Sequence, residues 1–308
     1  MSATLIAVVL ALFLGHVVPA LAELRRYGWF DRWLAFGQHH LGPAFASSFF
    51  ILLSLGLPLL LVGLIQAGLD GRFFGIPAFV FAVAVLVYCW GPRDLDRDVE
   101  AIQEAPDEAA RLRAIAQLVD EVRLPGADEE AAWVDAVFIG ARRRWFGVLL
   151  WFLLLGPFGA VLYRLTARGA RVQSEATVAG AHAAAYQHLR VILDWPVAHL
   201  MTLALAIAGN FDAVYGAWRD WHQQRRGQDF DFSTGFLEAA ALASVRQYRR
   251  EQSDELALDR AAGLEADPEF PVDAPVALAA MHAAMMLTWR ILVVWIVVVA
   301  LFVLAGYV

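Results

Sequence analysis

No lysine occurs anywhere in this chain: all 24 basic residues are arginine, a bias that carries no mechanism by itself. A single cysteine, Cys89, stands among 308 residues, so no internal disulfide can form. It ends an apolar block, where a packed thiol is the expected state. Charged residues make up only 18% of the chain, and the net charge is −7. That balance argues against a nucleic-acid partner, which needs a basic face. HExxH, the Walker A loop and GxSxG are all missing. None of the eight histidines is spaced like a zinc site with a partner carboxylate. Asp94, Asp96 and Asp98 alternate in RDLDRD, but a calcium loop needs glycine where Val99 stands. A solvated helix start is the better reading of that run. No metal and no cofactor is expected.

What is abundant is apolar. Hydrophobic residues make up 60% of the chain, against about 45–50% in soluble domains. The excess comes in blocks. The organising block is Arg142-Arg143-Arg144 followed by WFGVLLWFLLLGPFGAVLY, residues 145–163. It is long enough to cross a bilayer in helix, which takes about 20 residues. The arginines mark its cytoplasmic end. Pro157 frees the carbonyl of Leu153, and Gly156, Gly159 and Ala160 give a surface for close helix approach.

The pattern predicts an all-α, polytopic membrane protein forming one integral domain over 1–308. Its membrane segments fall at about 3–22, 46–66, 76–91, 145–163, 194–211 and 285–307. Two polar helical segments, 92–144 and 212–284, are expected on the cytoplasmic side. Ala20-Leu21-Ala22 imitates a signal-peptidase site, but no positive n-region precedes Arg25, so a retained helix is expected. Arg25, Arg26 and Arg32 mixed with Tyr27, Trp29, Phe30 and Trp33 read as an interfacial anchor. Segments 46–66 and 76–91 read as a membrane hairpin. Leu95, Val99 and Ile102 recur at helical spacing, as do Leu112, Ile115 and Val119. Pro106-Asp107-Glu108 and Asp128-Glu129-Glu130 read as helix starts, and Ser233 or Thr234 as the cap of a helix from Gly235. With six crossings, most arginines fall on one side when both termini face outward.

Five residues are candidate binding groups: Tyr163, Arg164, Asp194, Trp195 and His199. Ionisable groups at membrane depth are expensive and imply function by default. Asp194 has a competing structural reading, as cap of a helix beginning at Pro196. Arg164 is either a snorkelling anchor or an anion site.

Four stretches resemble the AmpE family of inner-membrane proteins: GPRDLDRDV, RRRWFGVLLWFLLLGPFGAVLYRL, LDWPVAHLMTLALAIAGNF and DFDFSTGFLEAAALASV. They keep the same order and span most of the chain. AmpE is similar in turn to the CobD/CbiB membrane synthases of cobalamin assembly, which join an aminopropanol-type amine to a corrinoid carboxylate using ATP. The resemblance implies a multi-pass inner-membrane protein linked to β-lactamase induction and cell-wall stress sensing. Its implied partners are the lipid bilayer and a membrane or cytoplasmic protein. The alternative it implies is a synthase forming an amide on an amphipathic substrate. Three motifs of that enzyme branch are missing. Tyr163-Arg164 continues into Leu165-Thr166-Ala167-Arg168 rather than Asn-Thr-Leu-Asp, and His199 stands where the branch carries Arg. Leu14-Gly15-His16 replaces an acidic Gly-Asp-Pro motif. A non-enzymatic transducer is therefore the first expectation.

Overall fold

The computed structural model describes residues 6–11, 14, 27–41, 50–69, 75–90, 95–105, 107, 110, 114, 129–175, 181–227, 231–262 and 276–305. Every regular element among them is helical. In chain order the helices are α1 (Gly28–Leu41), α2 (Phe50–Leu69), α3 (Ile76–Cys89), α4 (Leu95–Gln103) and α5 (Glu129–Ala141). A π-helical turn at Arg142–Phe146 leads into α6 (Gly147–Leu155) and α7 (Pro157–Glu175). Then come α8 (Ala181–Ala208), α9 (Phe211–Gln224), α10 (Gly235–Ala261) and α11 (Val276–Leu304). Residues 6–11 are helical, and the rest of the expected 3–22 segment lies largely outside the described residues.

Among the described residues, three helices are long and apolar enough to cross a membrane: α2, α8 and α11. Helix α3 is apolar but has 14 residues. That is about 21 Å of helix against a hydrocarbon core of about 30 Å. Helices α8 and α11 begin earlier than hydropathy suggests, at Ala181 and Val276 rather than near 194 and 285.

The stretch 145–163 is not one helix. It starts in the π-helical turn, runs through α6, and breaks at Gly156 before α7 begins at Pro157. Gly156 has φ 66° and ψ −150°, a region that only glycine enters without strain. Leu155 and Phe158 flank the break with unsatisfied backbone groups. Gln66 of α2 serves both. Its Nε2 donates to the Leu155 carbonyl at 3.4 Å, and its Oε1 accepts from the Phe158 amide at 3.0 Å.

Other prolines are handled the same way. Pro58 lies inside α2 and cannot donate to the carbonyl of Ser54. The Trp33 indole donates to that carbonyl instead, at 3.0 Å. The last carbonyls of α3, which ends at Cys89, also need partners from outside the helix. The Tyr27 hydroxyl donates to the Tyr88 carbonyl at 2.7 Å. Pro196 lies inside α8, and beside its gap the Trp151 indole donates to the Leu193 carbonyl at 3.2 Å.

The chain divides into two compact units. The first comprises residues 1–93, 143–197 and 299–308. Within it α7 packs on α1, α2, α3 and α6. Phe30 and Leu34 of α1 are buried with Leu55, Leu165 and Tyr186. A two-point ion pair, Arg168 to Asp31 at 2.9 and 2.6 Å, ties α7 to α1. The second unit comprises residues 94–142 and 198–298. There α10 packs on α5 and α9, and α4 packs on α5. The spacing read from Leu95, Val99 and Ile102 is borne out: all three are buried. Glu130 accepts from Arg246 and Arg249 at 2.9 and 2.8 Å, and Arg142 pairs with Glu238 at 2.9 Å. Helix α5 begins at Glu129 and α10 at Gly235, the positions expected from sequence. Asp107 accepts from the Ala110 amide at 2.6 Å, as a helix start requires. The stretch carrying Leu112, Ile115 and Val119 lies outside the described residues.

Replacing Gln66 by leucine removes both hydrogen bonds at the Gly156 break, leaving the Leu155 carbonyl and the half-buried Phe158 amide without that partner. We expect a loss of about 1–3 kcal/mol, read as a lower Tm of the purified protein in detergent. Gly156→Ala should cost a similar amount, about 1–3 kcal/mol, because alanine cannot relax at that backbone geometry. An unchanged Tm in both variants would contradict the assignment of the break.

Candidate functional site

Of the five candidate residues, the structure joins two directly. The Tyr163 hydroxyl on α7 donates to Asp194 Oδ1 on α8 at 2.7 Å. Both side chains are buried, Tyr163 at 1% and Asp194 at 3% exposure. The Tyr163 ring lies over Gly147 of α6 so closely that no Cβ fits there. Asp194 is not a helix cap. It lies in the middle of α8, which runs through Pro196 without ending. The Pro196 start signal is overridden because the helix is already established from Ala181, and a proline costs it one hydrogen bond rather than its continuity. Trp195 is half-buried beside it.

Arg164 is engaged elsewhere. It is 7% exposed, and its Nε donates to the Cys89 carbonyl at 2.8 Å. Its Nη2 donates to the Arg144 carbonyl at 3.4 Å. Cys89 is the last residue of α3, so this guanidinium closes a helix C-terminus, where cations are favoured. Neither the snorkelling reading nor the anion-site reading describes that role. Cys89 itself is a buried thiol. His199 belongs to the second unit, where its ring rests on Phe236 at 4.3 Å. It joins an aromatic group with Trp221, His222 and Phe236.

A second polar cluster in the first unit was not singled out from sequence. Ser54 Oγ lies 3.1 Å from His182 Nε2 and 2.9 Å from the Tyr186 hydroxyl. The spacing of His182 and Tyr186, one helical turn apart on α8, was the available signal. A serine beside a histidine is the geometry of an activated nucleophile. Here, however, all three groups are no more than 2% exposed. Ser54 Oγ also donates to Ile51 within its own helix, so the cluster packs α2 against α8.

Among the described residues, no group of three or more His, Cys, Asp or Glu is placed to hold a metal ion. Asp96 accepts from the Trp289 indole at 2.9 Å, Asp98 is buried, and Asp94 lies outside the described residues. A cavity of about 910 Å³ opens in the first unit between α1, α2, α3 and α7, lined mostly by leucine and aromatic side chains. No protein-family model, curated protein or solved structure matches the chain.

The Tyr163–Asp194 bond should be measurable as a coupling. Tyr163→Phe and Asp194→Asn are each expected to destabilise the protein by about 1–3 kcal/mol. The double variant should cost less than their sum by about 0.5–3 kcal/mol. Strict additivity in chemical denaturation would show that the two groups do not interact.

Proposed function

We propose that this chain is a multi-pass inner-membrane signalling protein of the AmpE kind, linked to β-lactamase induction and the sensing of cell-wall stress. The observation that carries this reading is the engagement of its buried polar groups. Arg164, the residue a synthase would offer to an anionic substrate, donates to the carbonyls of Cys89 and Arg144. Ser54, a serine beside a histidine base, is sealed inside a packed cluster. These groups hold helices together.

Six apolar segments, 3–22, 46–66, 76–91, 145–163, 194–211 and 285–307, thread the membrane in this reading, some of them as short or broken helices. Segments 92–144 and 212–284 face the cytoplasm, where they meet a membrane or cytoplasmic protein partner. A π-helical turn, Arg142–Phe146, leads from α5 into α6. Such turns are frequent at functional sites in helices. The alternative, a CobD/CbiB-like synthase working at Tyr163, Arg164, Asp194, Trp195 and His199, is favoured only by the buried Tyr163–Asp194 pair.

Deletion of the gene in its native host should lower β-lactamase induction by a cell-wall inhibitor at least several-fold, restored by the wild-type chain. Unchanged induction would remove the signalling reading. Expression in a strain lacking its CobD/CbiB-type synthase should fail to restore corrinoid-dependent growth; restored growth would establish the synthase instead.

A further inference from the structure

The cavity in the first unit has an ordered wall. Its long side is made by Leu57, Leu60, Leu61 and Leu64 of α2, facing Phe81 and Val85 of α3. The four leucines are exposed, at 50%, 58%, 62% and 63% respectively, on a helix long and apolar enough to cross a bilayer. Tyr88 stands about two turns beyond Phe81 along α3. Its hydroxyl accepts from the Trp29 indole at 2.7 Å, which brings α1 to that end of the groove. Trp33 lines the same end, held by its bond to the Ser54 carbonyl. Beside them is Arg32.

Arg32 is exposed, and among the described residues no acid pairs with it. Its Nε donates to the Gly28 carbonyl at 3.2 Å, which fixes the side chain along α1 and leaves the terminal nitrogens. The one acid on α1, Asp31, is held by Arg168 through both of its oxygens. The groove therefore runs from a cation, through indole and phenol groups, to alkyl walls. That order is the order of a phospholipid: phosphate, glycerol and ester region, acyl chain. Tryptophan and tyrosine sit at the membrane–water interface, between headgroup phosphates and acyl chains, and basic pockets beside membrane helices hold anionic headgroups. The volume, about 910 Å³, lies within the roughly 300–1,000 Å³ of ligand sites.

We propose that this groove binds one anionic phospholipid of the surrounding bilayer, with its phosphate on Arg32 and an acyl chain along the α2 leucines. The proposal rests on the membrane reading of the chain and not on its role in induction. A peptide or a second copy of the chain would leave the cation unmatched unless it brought an acid to the rim. The lipid supplies both parts.

The test uses the full-length protein in bilayer nanodiscs, with phosphatidylglycerol or phosphatidylcholine as the probe lipid. Lipid retention is counted by native mass spectrometry after release. Wild type should retain one phosphatidylglycerol at least several-fold more often than phosphatidylcholine. Arg32→Gln should abolish that preference while leaving weak retention of either lipid. Leu61→Trp, at an exposed position where folding tolerates bulk, should block retention of both. Equal retention of the two lipids by wild type overturns the proposal. So does a preference that survives Arg32→Gln, displacement of the lipid by inorganic phosphate alone, or lipid held only by a dimer. Protein that fails to enter the nanodisc contradicts the membrane reading, whereas insertion with equal retention contradicts the lipid site alone. Neither result bears on β-lactamase induction.

Discussion

The constraint on which the architecture depends is the demand of each freed backbone group for a partner. A proline in an apolar helix leaves a carbonyl without its donor, and apolar surroundings offer little water to replace it. This chain meets the demand with side chains from neighbouring helices. Trp33 serves the Pro58 gap, Tyr27 serves the Tyr88 carbonyl at the end of α3, Gln66 bridges the break before Pro157, and Trp151 serves Leu193 beside Pro196. Each such bond also ties two separate segments together, so the helix irregularities double as attachments within the first unit. Arg164 extends the scheme to the C-terminus of α3.

This scheme changes the meaning of the polar residues in the apolar blocks. An arginine or glutamine at membrane depth suggests a ligand. Arg164 and Gln66 instead close the protein's own backbone. The Tyr163–Asp194 pair fits the same pattern, since a buried carboxylate is tolerable where a donor meets it. The contrast is Arg32, an exposed cation whose neighbouring acid is already held by Arg168. The distinction between inward-closing and outward-facing polar groups separates the groove from the rest of the unit.

Much of the fold was legible in the chain. Apolar runs located α2, α3, α8 and α11, and helical spacing at Leu95, Val99 and Ile102 located α4. Acidic starts located α5, and the residues before Gly235 located α10. What failed was continuity. A hydropathy run says how apolar a stretch is, and it does not register a break. The stretch 145–163 read as one span, although Gly156-Pro157 combines a glycine-only geometry with a missing donor. Asp194-Trp195-Pro196 read as a helix start because the sequence signal is local, while α8 is fixed by packing that begins at Ala181. The candidate site was half legible. The Tyr163–Asp194 pair joins two helices, and both members stand out as polar groups in apolar surroundings. The partners of Arg164 are backbone carbonyls, which carry no sequence signal. The same holds for Gln66, whose sole mark was its polarity near the end of an otherwise apolar run.

The measurement that tests the central claim most directly is amide hydrogen exchange at Phe158 in the protein reconstituted into a bilayer. Phe158 follows a helix break, so its amide would exchange rapidly if it were left to water or to fluctuation. The account predicts protection comparable to the middle of α8, because Gln66 Oε1 accepts from that amide. Fast exchange at Phe158, with α8 protected in the same sample, would contradict it.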